Sequence, residues 1–466
     1  MESQTTLAEL QGVTELGSHV YLRVVSDKYD ITKLVAFLTR LHIPNADPCS
    51  LHELMNIITE KGLMIADSKS EGLVHFLRGS SSWAQKGHDT LMLDIHRYER
   101  HLAKLETTRV SNIIATVELT PSDILDTGCS MSSSYDGTIT KTRGYDGDVS
   151  WSTESAKAEL HSRYVYEDTA VFDSKATIQI YRPAVVFKFE GSEFNDLSEI
   201  SGLIERELTW ICVALSLCYR KRVTWYKLSF QVVLHDGTVL TGISPLVRRR
   251  ISENPNSRKV NELINHFHLV NGGFEDLLHK LRGSSLADCI VRSIRFLAAS
   301  TDDNSVEMNY LLVIAALECF CNGYVSQPGK QMQIPSGPAK KICNALSQTI
   351  QELRDDENLR VWLDIAKSKL PELRRPTTFS MIQCCCKELS VMFNDLWNED
   401  KPGDGIRLAL KNRNHLVHQA NSTNPRELYP DTVRLRILAE RLILSYIGWE
   451  HSKLSSWHAE ELLRIK

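Results

Sequence analysis

The sequence predicts an α+β N-terminal domain followed by an all-α, helical-bundle C-terminal domain. Two observations lead there. Up to about residue 245, runs that alternate apolar and polar residues are interleaved with helical ones, whereas beyond residue 260 apolar residues recur every three to four positions in one segment after another. A chain of 466 residues is also too long for one ordinary core, so two or three domains are expected.

The first 122 residues mix short apolar runs with turn signals, as in VYLRVVSD, LVAFLTRLHI, GLVHFLRG and TLMLDIHRYERHL, and read as mixed helix and strand. Residues 127–155, TGCSMSSSYDGTITKTRGYDGDVSWSTES, are rich in Gly, Ser, Thr and Asp, which supply turns but little core, so a long exposed loop is expected. ATIQIYRPAVVFKFEG then alternates with β-branched and aromatic enrichment, as half-buried strands do. NDLSEISGLIERELTWICVALSLCYRK has helical spacing, and its early acids Asp196, Glu199 and Glu205 suit the positive end of a helix. WYKLSFQVVLHDGTVLTGIS returns to strands around a His235-Asp236-Gly237-Thr238 hairpin turn, which completes a domain over 1–245.

The basic run LVRRRISENPNSRK, broken by Asn254-Pro255-Asn256, reads as a linker over about 246–260. From 261 to 466 the segments FEDLLHKLRGSSLADCIVRSIRFLAAS, VEMNYLLVIAALECFCNGYV, KKICNALSQTIQELR, FSMIQCCCKELSVMFNDLW, IRLALKNRNHLVHQ and TVRLRILAERLILSYIGW predict a bundle of helices.

Composition narrows the function classes. With 42% hydrophobic and 24% charged residues and a formal net charge of -4, the chain reads as soluble and globular, and its overall charge would repel a phosphate backbone. Nucleic-acid binding would therefore need local basic patches. MESQTTLAELQG lacks the basic and apolar regions of a signal peptide, and no stretch reads as long and apolar enough to span a bilayer. A cytoplasmic location without membrane contact is expected.

The 11 cysteines have no disulfide spacing, and several lie in apolar helical runs. Cys384, Cys385 and Cys386 would fan around a helix rather than close one tetrahedron, and neither His96 with His101 nor His266 with His268 has a carboxylate partner at recognisable spacing. No metal and no cofactor is expected. GxxxxGK[ST], GxGxxG and GxSxG are all missing, which argues against ATP hydrolysis, dinucleotide redox chemistry and a hydrolase nucleophile elbow.

The densest chemistry lies in KNRNHLVHQA, residues 411–420. On a continuous helix Asn414 and His418 share a face, and Lys411 pairs with His415 in the same way. Arg413 flanks that face, so it converges with His418 if the helix bends or begins there. An imidazole can take a proton from a ribose 2'-hydroxyl or give one to a leaving 5'-oxygen, and a guanidinium can stabilise charge growing on the phosphorus. Asparagine can orient the phosphate or fix the imidazole tautomer. On spacing alone, a solvated polar helix is the commoner explanation.

The spacing Arg413 to His418, with polar Asn414 directly after the arginine, resembles the RxxxxH signature of the HEPN superfamily of helical domains, many of which are metal-independent endoribonucleases. MNYLLVIAALECF carries Glu318 at the kind of position where related domains have an acid, and LTWICVALSLCYRKRVTWYKLSFQVV resembles a helix-then-strand region of ApeA-like bacterial anti-phage proteins. The likeness covers most of residues 160–466. It implies Arg413 as phosphate and transition-state ligand, Asn414 as orienting residue and His418 as general acid/base, with His415 and Glu318 as auxiliaries. It also implies an HEPN-like C-terminal domain, an RNA substrate with tRNA among the candidates, a homodimer whose two motifs face each other, and a phage-derived trigger sensed through the N-terminal domain.

Lys411, Arg407, Arg434 and Arg436 are the basic residues expected to meet RNA, ahead of the Arg248, Arg249, Arg250, Arg258 and Lys259 cluster. Two readings from other classes stand beside this one: a helical domain that binds RNA or nucleotide without cutting it, and a carbohydrate- or peptide-recognition module built on the N-terminal strands.

Overall fold

The computed structural model describes residues 4–16, 18–27, 34–41, 51–67, 73–84, 90–102, 110–120, 130–133, 139–142, 149–153, 156–171, 174–190, 197–241, 247–249, 262–264, 268–302, 304–330, 336–353, 359–370, 376–397, 402–419 and 425–449. The chain has a β-rich N-terminal half and a helical C-terminal half, divided into two compact units. The first comprises Met1–Leu215, Lys221–Asn256 and His266–Leu278; the second comprises Ser216–Arg220, Ser257–Asn265 and His279–Lys466.

The first unit begins with β1 (Gln4–Thr14), β2 (His19–Asp27), β3 (Leu34–Arg40), α1 (Leu51–Glu60), β4 (Leu63–Asp67), β5 (Leu73–Ala84) and β6 (Thr90–Leu102). The strands pair in the order β6-β3-β2-β1-β4-β5, and β5 pairs again with β6, so six antiparallel strands close on themselves. Closure removes the unpaired edges that an open sheet would expose. Alternate residues supply the core: Val20, Leu22 and Val24 on β2, Ala36 and Leu38 on β3, Leu91, Leu93 and Ile95 on β6, joined by Leu54 and Ile58 of α1.

A bulge keeps β6 in phase. Arg78 faces Arg97 while Gly79 faces Ile95, so His96 is the extra residue, and the buried series passes from Ile95 to Tyr98. Gly12 lets β1 and β4 approach, since a Cβ there would lie 2.4 Å from the Ala66 carbonyl. The region holds both helix and strand, as the sequence reading has it, with strands in the majority and α1 its single helix among the described residues.

A second run of strands follows: β7 (Val110–Thr120), β8 (Ser130–Ser133), β9 (Ile139–Thr142), β10 (Val149–Ser152), β11 (Lys157–Val171) and β12 (Ser174–Glu190), then α2 (Leu197–Tyr219), β13 (Thr224–Leu234), β14 (Val239–Thr241) and β15 (Val247–Arg249). Their order is β10-β11-β12-β7-β13-β15, and β15 joins β6 through Arg248 opposite Tyr98.

Two expectations change here. The region 127–155 contains β8, β9 and β10, with Val149 and Trp151 buried, so its polar composition belongs to short strands rather than one long loop. The basic stretch taken as a linker contains β15, whose backbone completes the ladder between β13 and β6. The predicted turn at 235–238 is present: Gly237 has φ +83°, the Leu234 amide donates to Thr238 O at 2.9 Å, and the Thr238 amide donates to Asp236 Oδ1 at 2.8 Å.

One buried charge sits inside this sheet. Glu118 on β7 is 5% exposed, and a bulge on β13 between Trp225 and Lys227 leaves Tyr226 to donate to Glu118 Oε2 at 2.5 Å. Lys227 Nζ lies 2.5 Å from Glu118 Oε1. A carboxylate away from water costs several kcal/mol unless it is paired and hydrogen-bonded, and this arrangement supplies both.

A π-helical turn, Leu269–Gly273, leads into α3 (Phe274–Arg282). Its start belongs to the first unit: Phe274 meets Trp151 edge-on at 4.9 Å, and Glu275 Oε1 accepts from the Ser152 amide at 3.1 Å. The expected domain start at 261 therefore falls before a segment that packs with strands. Conversely, the end of α2 belongs to the second unit, where Arg220, with φ +51°, makes a buried bidentate ion pair with Glu440 at 2.9 and 2.5 Å.

The second unit continues with α4 (Ala287–Ala299), α5 (Val306–Val325), α6 (Ser336–Glu352), α7 (Arg360–Lys369), α8 (Thr378–Glu388), α9 (Pro402–Gln419) and α10 (Pro425–Tyr446). α5 is the centre, packed by α4, α8, α9 and α10. Ser305 caps its N-terminus by accepting from the Met308 amide at 3.2 Å, and Tyr310, Val313, Ile314, Leu317, Phe320, Cys321 and Tyr324 bury its inner face. By length and composition this helix is apolar enough to cross a membrane, contrary to the sequence reading. Half of its most apolar stretch is buried within the protein, against the helices just named.

Candidate functional site

The site is built on α9, and three contacts fix that helix. Gly405 lies against the indole of Trp397, where a Cβ would be 2.3 Å from the ring. Tyr310 of α5 donates to the Ala409 carbonyl at 2.5 Å, while Ile406 and Ala409 are fully buried. Arg407 stacks over Phe379 of α8 at 4.4 Å and pairs with Asp404 at 3.1 Å.

Past these anchors, Arg413 reaches across to α5. Its Nη2 donates to Glu318 Oε2 at 3.1 Å, and its Nη1 donates to Asn414 Oδ1 at 3.1 Å. The other oxygen of Glu318 accepts from Thr378 Oγ1 at 3.0 Å. Thr378 is the first residue of α8, behind Thr377, whose hydroxyl caps the helix by accepting from the Ser380 amide. Three helices thus converge on one carboxylate and one guanidinium. The side chains of Arg413 and Glu318 are 34% and 27% exposed, so solvent screens the pair and its contribution to stability is about 0.2–1 kcal/mol. Its value lies in orientation: these bonds use two of the five guanidinium donors and fix the plane of the fork.

Arg413, Asn414 and Glu318 come together. α9 runs without a break from Pro402 to Gln419, so it neither begins nor ends at the motif. Helical register then places position 418 roughly 140° around and roughly 7.5 Å along the axis from Arg413. Arg407, Lys411, Asn414, His415 and position 418 share one face, with Arg413 opposite. The His418 side chain lies outside the described residues. His415 is half-buried and Lys411 is exposed.

Among the residues expected to meet RNA, Arg407 is open to solvent, its side chain 63% exposed. Arg434 is held by Asp431 at 3.0 Å. Arg436 is a correction: it is buried and donates to Ser300 O at 2.9 Å and to Ser300 Oγ at 2.8 Å, so it serves the bundle core rather than a phosphate. β15 takes the backbone of Arg248 and Arg249.

Among the described residues, no group of three or more His, Cys, Asp or Glu could hold a metal ion. The three consecutive cysteines fan as helical geometry requires: Cys385 and Cys386 are buried, whereas Cys384 donates to Glu388 Oε1 at 3.3 Å. Burial pushes the Cys386 thiol up to about 12, and burial together with the Glu388 carboxylate pushes Cys384 up to about 11. Neither thiol is primed as a nucleophile at neutral pH.

No family model, curated protein or solved structure matches this chain. The site therefore rests on its own geometry. Thr378 is the member that the sequence reading missed; PTTFSM signals a helix start, but nothing in it signals a hydroxyl bound to Glu318.

Proposed function

We propose that the helical unit is an HEPN-type, metal-independent endoribonuclease that cleaves RNA, tRNA among the candidate substrates, by attack of a 2'-hydroxyl on the adjacent phosphate. The observation that carries this reading is the Arg413 guanidinium, held by Glu318 and Asn414 on a helix that also bears His418. Arg413 would bind the phosphate and the charge that develops on it, Asn414 would orient it, and His418 would move the proton between the 2'-oxygen and the leaving 5'-oxygen. Products would carry a cyclic phosphate and a 5'-hydroxyl.

Because one continuous helix turns Arg413 and position 418 to different sides, the reading requires a homodimer in which Arg413 of one protomer and His418 of its partner act on one phosphodiester. Arg407 and Lys411, on the same face as position 418, would carry the RNA backbone. The setting would be cytoplasmic anti-phage defence by abortive infection, with a phage-derived trigger acting through the N-terminal unit.

The test is incubation of the full chain with total RNA in EDTA, comparing wild type with His418→Ala. The reading expects cleavage by the wild type and none by the variant. A second reading, an RNA-binding or assembly module without cleavage, is favoured by one observation: Glu318 already neutralises Arg413. It expects RNA to bind, to remain intact under every activating condition, and to be indifferent to His418→Ala.

A further inference from the structure

In the second unit, α6 and α7 form an antiparallel hairpin, since the thiol of Cys343, midway along α6, donates to the carbonyl of Leu370, just past the end of α7, at 3.5 Å. Ala339, Leu363 and Leu370 are buried. The rest of the apolar surface is open: Ile342, Leu346 and Leu353 are 39–45% exposed, Leu359 is 36% exposed, Ile365 is 49% and Trp362 is 67%. Single exposed apolar residues are ordinary, but six large ones on one hairpin mark a surface that another surface covers.

The spacing says what shape fits. Ile342, Leu346, Thr349 and Leu353 follow one another at intervals of four, three and four, the seam by which one helix packs along another. The charges say which partner. α6 carries Lys340 and Lys341 in its second turn and ends with Glu352, while α7 carries Lys367 and Lys369 in its last turn. Four lysines thus lie in the half of the hairpin away from the connection, whereas Glu352 lies at the connected end, where the linking residues 354–358 carry three acids and one arginine and α7 starts with Arg360, so that end is acidic on balance.

A second copy laid antiparallel satisfies this pattern twice, once on each side of a two-fold axis. It sets Ile342 opposite Leu353 and Leu346 opposite Thr349, brings Lys341 beside Glu352, and opposes the helix dipoles. A parallel copy would place bases on bases and acids on acids.

We propose that the hairpin of α6 and α7 is a self-association surface that packs antiparallel against the same hairpin of a second copy of this chain. The proposal uses different helices from the RxxxxH motif and holds whether or not the protein cuts RNA.

Sedimentation velocity of the full chain over a concentration series tests it. The wild type is expected to self-associate, Leu346→Asp to lose the association step that this hairpin supplies and to sediment as a smaller species than wild type at every concentration, and Lys341→Glu and Glu352→Lys each to weaken that step at least about tenfold, a loss of about 1.4 kcal/mol or more. An equimolar mixture of the two charge variants should recover wild-type association, because each then meets the opposite charge at both ends. These positions are exposed, and circular dichroism checks that each variant stays folded. A wild type that is monomeric at every concentration overturns the proposal. So does a dimer indifferent to all three substitutions, which would place association on another face, and so does a mixture no tighter than its components.

Discussion

Glu318 on α5 binds Arg413 of α9 through one oxygen and Thr378 of α8 through the other, at 3.1 and 3.0 Å. A carboxylate held from two helices fixes the third helix's guanidinium more than it stabilises the fold. Glu318→Gln is accordingly expected to cost no more than about 1 kcal/mol in stability, as partly exposed pairs do, while lowering RNA cleavage about tenfold or more. Thr378→Val should act in the same direction more weakly. Melting temperature and cleavage rate, measured on the same preparations, check the split.

Gly405 carries the position of α9. With a Cβ forced to 2.3 Å from the Trp397 ring, Gly405→Ala should destabilise the second unit by about 1–3 kcal/mol, the usual cost of overpacking a close contact. Trp397 is itself buried and directs its indole nitrogen at Asp431, so it has little room to retreat. Urea denaturation measures the change.

Arg220 and Glu440 are both nearly inaccessible, 4% and 2% exposed, and their bidentate contact fills the guanidinium fork. Removing one charge leaves the other stranded in the interior. Glu440→Leu should cost about 3–5 kcal/mol, whereas Glu440→Leu combined with Arg220→Met should recover part of that loss. Chemical denaturation of the two variants against wild type measures the difference.

Glu388 gives the helical unit a pH signature. The Lys330 ammonium and the Tyr324 hydroxyl, bonded to its carboxylate at 2.5 and 2.9 Å, hold its pKa below the ordinary glutamate value, with a further contribution from Cys384. A carboxyl whose folded pKa is depressed adds stability above its unfolded value, near ~4.3, and loses it as pH falls through the folded value. The melting-temperature gap between wild type and Glu388→Gln should therefore be full at neutral pH and close progressively below about pH 4.3. A series of melts from neutral to acid pH records it.

Local pattern made part of this architecture legible. The strand, helix and strand from 174 to 241, the turn at Gly237 and the C-terminal helices all follow from periodicity and turn chemistry that neighbouring residues carry themselves. Arg413 and Asn414 were visible as a motif. What stayed hidden depends on residues far apart in the chain. Closure of the six strands needs β5 to find β6 and β6 to find β3. β15 is a strand because β13 and β6 offer it a ladder, although its own residues are basic. Arg436 looked like a phosphate ligand, but the α10 register turns it onto Ser300. Thr378 became part of the site only when α8 packed beside α5.

The central claim is that Arg413 and His418 serve one phosphodiester from two protomers, and mixing inactive variants tests it most directly. Arg413→Ala and His418→Ala are each expected to yield no cyclic-phosphate ends from RNA in EDTA. Co-refolded in equal amounts, they should regain about a quarter of wild-type cleavage, because half the dimers are mixed and each mixed dimer holds one intact pair. A mixture as inactive as its parts, while wild type cleaves, would contradict the two-protomer site. Wild-type-like cleavage by either variant alone would contradict the site altogether.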